Sequence, residues 1–385
     1  MTRVAGEWLV HPGTQAVMRA LAAQGAQALF VGGCVRNALL GLAVSDIDIA
    51  TDARPEDVIR LARAAGIKAV ATGLAHGTVT LVAKGHAHEV TTFRRDLATD
   101  GRRAVVAYSG SLAEDAARRD FTMNALYARA DGEVIDPLGG LADLRARRVR
   151  FIGDAAARIR EDYLRSLRYF RLHAWYGDAD QGPDPEALAA IAGNLDGLAR
   201  LSRERITAEI LKLLAAPDPV RSCAAMRACG VLRAVLPGAD DAPLAPLVHL
   251  EQEAGAEPDA LRRLAALGWG AELAELRLAR RDRRRMAVMR DAATGSMGAA
   301  ELGYRHGPEA GRDALLLRAA MSGADLPDGW KAALVRGAEQ DFPVAARDLM
   351  PRFSGPDLGA RLETLERRWI ASDFALDREA LLALA

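Results

Sequence analysis

The stretch Leu29-Phe30-Val31-Gly32-Gly33-Cys34-Val35-Arg36 constrains the fold of this chain more than any other. An apolar run enters a glycine pair, and the pair opens a segment of helical spacing. This predicts a strand over Ala28 to Val31, a tight turn, and a helix over Cys34 to Leu40. A second strand is predicted over Asp46 to Ala50. Side chains alternate along a strand, so Asp46 and Asp48 should project from one face while Ile47 and Ile49 enter a core. An isolated Asp-x-Asp is commonly a turn or a surface pair, but the flanking isoleucines argue against a loop.

These residue types share a chemistry. Backbone N–H groups where a strand turns into a helix form an anion site, and Gly33 lets a phosphate approach them. Arg36 lies one turn into the helix and can reach the same anion. Two adjacent carboxylates suit Mg²⁺, which is typically held by one or two carboxylates plus substrate phosphates. Such metals activate an attacking hydroxyl and neutralise a leaving pyrophosphate. A lone Gly-Gly is an ordinary turn; it is the conjunction with Asp46 and Asp48 that points to nucleotide handling.

With 385 residues, half of them hydrophobic, the chain should form two to four domains. Its formal net charge is zero, but the basic residues are clustered and all but Lys68, Lys84, Lys212 and Lys331 are arginine. Nine arginines face three acids between Arg145 and Arg171, and seven face one between Arg277 and Arg290. Either cluster could be a solvated helix face or a grip on RNA phosphates. Cys34, Cys223 and Cys229 have no metal-site spacing and fit a reducing compartment. No apolar run reaches the roughly 18 residues of a transmembrane helix, and the N-terminus lacks signal-peptide features. The expectation is a cytoplasmic protein with no membrane partner.

Strand and helix signals mix up to about residue 140. Pro55 to Ala65 reads as an amphipathic helix. Ile67 to Ala71, Thr78 to Val82 and His88 to Thr92 read as strands, and Asp131-Gly132 as a hairpin turn. The polar run Asp96 to Arg103 reads as a mobile loop. Beyond Asp136-Pro137-Leu138-Gly139-Gly140 the period is helical. Breaks fall near Gly177 to Pro185, Pro217 to Pro219, Pro237 to Pro246, Gly255 to Pro258, Gly295 to Pro308, Gly323 to Gly329 and Ser354 to Pro356.

Gly32-Gly33-Cys34-Val35-Arg36 with Asp46-Ile47-Asp48 resembles the nucleotidyltransferase superfamily head. Further segments narrow the resemblance: Glu89 to Arg94, Asp100-Gly101-Arg102-Arg103, Arg118-Arg119-Asp120-Phe121-Thr122-Met123-Asn124-Ala125, Asp136-Pro137, and Glu161-Asp162-x-x-Arg165. Their order is similar to that in class II tRNA nucleotidyltransferases and bacterial poly(A) polymerases, over about residues 25 to 215. Phe342-Pro343 through Gly355-Pro356 and Gly359 is more loosely similar to the tail of CCA-adding enzymes. The fold implied is α+β, with a nucleotidyltransferase-type mixed-sheet head followed by an all-α neck, body and tail. The implied bounds are 1–141 for the head, 142–215 for the neck, 216–294 for the body and 295–385 for the tail.

The resemblance implies addition of C, C and A to a tRNA 3′ end from CTP and ATP. Asp46 and Asp48 would be the catalytic metal ligands for Mg²⁺, with no haem or flavin. Gly33, Arg36 and Arg119 would hold the triphosphate, and Asp120 and Asn124 would anchor the head near the neck. Asp162 and Arg165, three apart on a helix, would offer an acceptor beside a donor. Cytosine and adenine present the complementary pair of groups; guanine and uracil present the reverse. Arg168 and Arg171 would continue that face toward phosphates or the RNA end. The 96–103 loop would help the site pass from C to A addition. Glu89 could be a third carboxylate or a partner of Arg94. Two positions depart from the pattern: Asn37 stands where many relatives carry Asp, and Ala104 replaces a frequent proline. Poly(A) polymerase, a partial CC- or A-adding enzyme, and a catalytically silent RNA-binding protein are the rival readings. The sequence sets no oligomeric state.

Overall fold

The computed structural model describes residues 2–100, 103–178, 180–268, 273, 275–350 and 352–385. The chain divides into two compact units, Met1–Pro237 and Gly238–Ala385.

The first unit opens on a seven-stranded sheet in the order β3-β4-β5-β2-β1-β8-β9. The strands are β1 (Ala28–Val31), β2 (Ile47–Thr51), β3 (Lys68–Gly73), β4 (Thr78–Ala83), β5 (His86–Thr92), β8 (Tyr127–Ala128) and β9 (Val134–Ile135). Every pairing is antiparallel except β2 with β5, which makes the sheet mixed. In β4 buried residues alternate with partly exposed ones, as expected of a strand with one face on the core. Helices Pro12–Ala22 and Pro55–Ala64 pack on the sheet. The second is started by Pro55 at its first position, with Glu56 and Asp57 in its first turn. A cluster of Leu29, Val31, Ala50, Phe93, Tyr127 and Ile152 forms a core beneath the functional elements.

The described part of the run read as a mobile loop is strand. Arg94–Asp100 (β6) and Arg103–Tyr108 (β7) pair as a separate antiparallel ribbon, with a register shift between Asp96 and Ala98. Gly101 and Arg102, between them, lie outside the described residues, as do the side chains of 96–100 and 103–106. Backbone pairing is indifferent to side-chain polarity, so a charged sequence can form such a ribbon.

Helices follow. Ala155–Glu161, Leu164–Tyr176 and Arg203–Leu214 matter most here, the last two packing on each other. The predicted breaks all separate helices or interrupt one; Gly307, at φ 78°, and Pro308 kink the Ala299–Ser322 helix. Among the described residues no helix is long and apolar enough to cross a membrane.

In the second unit, helices Ala299–Ser322 and Trp330–Ala338 approach backbone to backbone. A Cβ on Gly337 would lie 1.9 Å from the Ala300 carbonyl oxygen, and one on Gly303 would lie 2.0 Å from that of Leu334. Gly337→Ala and Gly303→Ala should each cost roughly 2 kcal/mol, because the helices must separate. Gly359→Ala, where a Cβ meets open space, should instead stabilise by about 0.5 kcal/mol. Urea titration of the three variants checks this. Around Trp369 the unit also buries Leu365, Leu381 and Val344, with Tyr304, Phe342 and Phe374 against them.

Candidate active site

β1 ends in Gly32, whose φ of 74° and ψ of −122° turn the chain into the Gly33–Leu39 helix. A side chain is disfavoured at that φ. The open side of the turn faces guanidinium groups: a Cβ on Gly32 would sit 3.8 Å from Arg119 Nη1, and one on Gly33 would sit 3.7 Å from Arg36 Nη2.

Arg36 is 8% exposed. It donates to Asn124 Oδ1 at 2.5 Å, to the Tyr176 hydroxyl at 2.8 Å and to Asn37 Oδ1 at 3.0 Å, and its guanidinium lies 4.0 Å over the Tyr176 ring. No carboxylate pairs with it among the described residues. Burial lowers its pKa, and the Tyr176 contact opposes that. Asn37 also donates to the Ala43 carbonyl in the loop ahead of Asp46. Asn37 thus ties Arg36 to the loop ahead of Asp46.

Arg119 donates to the Tyr127 hydroxyl at 3.0 Å and to Asp115 at 3.0 Å, and Tyr127 donates to the same Asp115 oxygen at 2.7 Å. Its pKa rises, the Tyr127 and Asp115 contacts outweighing burial. Asp115, 1% exposed and also paired with Arg118, was not picked out from the sequence. Its place on the Leu112–Ala117 helix, four residues before Arg119, was the available signal.

β2 begins at Ile47, so Asp46 stands at the entrance of the strand rather than within it. It is exposed and accepts from Ser45 Oγ at 3.1 Å. Asp48 lies within β2, in register with Glu89 on the parallel β5. Burial, then Glu89, raise its pKa to about 6; Arg119 opposes them and Asp46 adds to them. Beneath the strand, the Cys34 thiol donates to the Val31 carbonyl and is pushed up to about 11 by burial, which leaves it an inert packing group.

Asp120, 8% exposed, accepts from Asn124 at 3.0 Å, from the Phe121 amide at 2.9 Å and from Arg168 at 2.7 Å. Its pKa falls to about 2, the Arg168 charge and these donors overcoming burial. Asp120 and Asn124 thus fasten the sheet to the Leu164–Tyr176 helix. Arg171 pairs with buried Glu209 at 2.9 Å.

Asp46, Asp48, Gly33, Arg36, Arg119, Arg168 and Arg171 line one cleft of about 560 Å³. Asp120, paired with Arg168, lines it as well. An all-oxygen donor set fits a hard divalent cation. No group of three or more ligand-type side chains is present among the described residues.

Asp162 and Arg165 do not line this cleft. The single helix expected to carry both is interrupted: Asp162 ends the Ala155–Glu161 helix in an extended conformation, φ −153° and ψ 105°. Its carboxylate accepts from the Leu164 amide at 3.1 Å and from Arg205 at 2.6 Å. Arg165, in the next helix, donates to Glu161 at 2.5 Å and to the Arg158 carbonyl at 3.1 Å. An Asp that binds the amide two residues on is a helix-starting signal, and it competes with continuation of the first helix.

A family signature described as "Poly A polymerase head domain" matches residues 28–150, and one described as "Probable RNA and SrmB- binding site of polymerase A" matches 183–242. The chain is similar to the human "CCA tRNA nucleotidyltransferase 1, mitochondrial", 44% identical over 184 residues, or 48% of this chain and 42% of that protein. It is 43% identical over 228 residues to the "CCA-adding enzyme" of Geobacillus stearothermophilus, covering 58% of this chain and 54% of that one. The chain thus spans about half the length of the curated relatives it matches. Among solved structures it resembles the Bacillus stearothermophilus CCA-adding enzyme in complex with CTP, with a TM-score of 0.74 and 29% identity over 97% of this chain and 95% of that one.

Proposed function

We propose, from the chain's resemblance to class II CCA-adding tRNA nucleotidyltransferases and bacterial poly(A) polymerases, that it adds C, C and A to the 3′ end of tRNA. The substrates are CTP and ATP. The observation that carries this reading is the cleft itself, which Asp46, Asp48, Gly33, Arg36 and Arg119 line together. The RNA 3′-hydroxyl attacks the α-phosphate, a bond to its oxygen forms, and the bond to pyrophosphate breaks.

Asp46 and Asp48 hold the divalent cation, taken here as Mg²⁺, which when bound supplies charge neutralisation at the reacting phosphate. Asp48 is suited to this because burial and Glu89 leave its negative charge undercompensated. Arg36 and Arg119 orient the triphosphate from fixed positions, since ring contacts and hydrogen bonds already immobilise them. Arg168 and Arg171 support the same phosphates from the helical side. The reading assigns catalysis to the 1–141 head and base choice to the 142–215 neck. Asp162 and Arg165 would read the base there by exchanging Arg205 and Glu161 for its edge. The body and tail, with the Arg277 to Arg290 run, grip the RNA backbone.

The test supplies tRNA ending before CCA, at its first C or at its second C, with each labelled nucleoside triphosphate and Mg²⁺. C, C and A added in turn, followed by a stop, supports the reading; long A tails would make the chain a poly(A) polymerase. Asp162→Ala should narrow discrimination against UTP and GTP by about 10- to 100-fold, since mismatched polar edges are no longer penalised. Lost activity with unchanged base preference would remove Asp162 from that role.

A further inference from the structure

The cleft contains two aromatic side chains, Trp175 and Tyr176, at the end of the Leu164–Tyr176 helix. The Tyr176 ring is covered by the Arg36 guanidinium at 4.0 Å. Trp175 is different. It is 39% exposed, and its indole N–H donates to the Lys212 carbonyl at 2.7 Å, which fixes the ring's edge and leaves a face to the cleft. Arg168, Arg171, Leu172 and Trp175 recur at helical spacing along one wall, so the ring belongs to the cleft side of the helix. Lys212 also lines the cleft; its side chain is exposed and makes no ion pair among the described residues.

A large apolar ring held in a polar, phosphate-handling cleft is costly to leave in water unless something covers it. A ring with a free face beside an uncommitted cation is the arrangement that binds single-stranded nucleic acid: the ring stacks a base and the cation meets its phosphate. The base of the incoming nucleotide is not the occupant. It is assigned to Asp162 and Arg165, and the ten residues of helix from Arg165 to Trp175 put the two ends about 15 Å apart. The other nucleobase that must enter belongs to the RNA whose hydroxyl reacts.

We propose that Trp175 is the stacking platform for the 3′-terminal nucleobase of the acceptor RNA, with Lys212 on the adjoining phosphate. This positions the attacking hydroxyl toward the side of Asp46 and Asp48 and rests on the nucleotidyl-transfer reading above. Trp175 acts as a positioning residue. Stacking tolerates every base, which suits an acceptor end whose terminal nucleotide changes at each addition.

Two readouts test this. Tryptophan emission is followed as wild type and Trp175→Phe are titrated with tRNA ending at its second C, and with the same RNA carrying an abasic terminal nucleotide. The wild type should show a quenching component that is missing in Trp175→Phe and missing with the abasic end. In steady-state addition, Trp175→Ala should raise KM for the RNA about tenfold, with KM for CTP and ATP within about twofold of wild type. Trp175→Phe, which keeps a ring, should recover most of that loss.

Equal quenching by intact and abasic RNA overturns the proposal. So does a rise in the nucleotide KM without a rise in the RNA KM. If Trp175→Ala does not fold, the emission difference between wild type and Trp175→Phe decides. A wild type that transfers no nucleotide sinks the functional reading alone, because the quenching measurement still decides whether the ring stacks the RNA end.

Discussion

Asp48→Asn is expected to abolish nucleotidyl transfer, by at least about 10³-fold in kcat, while binding of tRNA in a filter or mobility assay stays within twofold. The size follows from losing a metal-holding charge where transition-state charge develops. The same substitution should have the opposite effect on stability. The Asp48 pKa, raised from 3.8 to about 6 by burial, Glu89 and Asp46, means that the folded chain holds the proton more tightly than the unfolded chain. The favourable contribution is therefore complete below about pH 4 and is lost as pH rises through about 6.

At pH 7 without divalent cation, Asp48→Asn should be more stable than wild type by on the order of 2 kcal/mol. The gap should close below pH 4 in parallel denaturation curves. Mg²⁺ should stabilise wild type and leave the variant unmoved. Proton and cation compete for one carboxylate, so the Mg²⁺ needed for half-maximal rate should climb about tenfold per pH unit below 6. A variant that retains full turnover would remove Asp48 from the reaction.

The second large effect lies in the second unit. Glu251, 1% exposed, accepts from Arg262 at 2.8 Å and from Arg263 at 2.8 Å, and both arginines are themselves 1% exposed. Arg262 also reaches buried Asp313 at 2.7 Å, which Arg285 meets from the Arg280–Thr294 helix at 2.7 Å. Glu251→Ala removes the acceptor that two buried cations share, at a cost of about 3–5 kcal/mol. Chemical denaturation should show an early transition of the 238–385 unit. Glu253→Ala, on an exposed pair with His249, should move the midpoint by no more than about 0.5 kcal/mol equivalent.

What was legible follows from which signals are local. β1 was read at its observed bounds, and the Gly33 helix and the helix started by Pro55 within a residue or so, because apolar spacing and glycine or proline punctuation act over a few residues. That Asp46, Asp48, Arg36 and Arg119 would come together at one cleft was legible as motif order. The bonds that orient the arginines were not, since Tyr176 lies 140 residues from Arg36. The ribbon of β6 and β7 escaped because its residues carry no apolar alternation. The interruption at Asp162 escaped because no glycine or proline marks it, although Asp is itself a helix-start residue. Arg262 and Arg263 would be assigned to the surface by residue type alone; only three-dimensional pairing explains their burial.

The cation–ring contact between Arg36 and Tyr176 carries a consequence for descent. Arg36, the arginine proposed to hold phosphate, lies on the helix that follows β1, yet the ring that braces it belongs to the later helical segment, as does the Arg168 that braces Asp120. A sheet domain recombined with a foreign helical segment would lose both braces at once. The two parts are therefore expected to be inherited as one block and to change by paired substitutions.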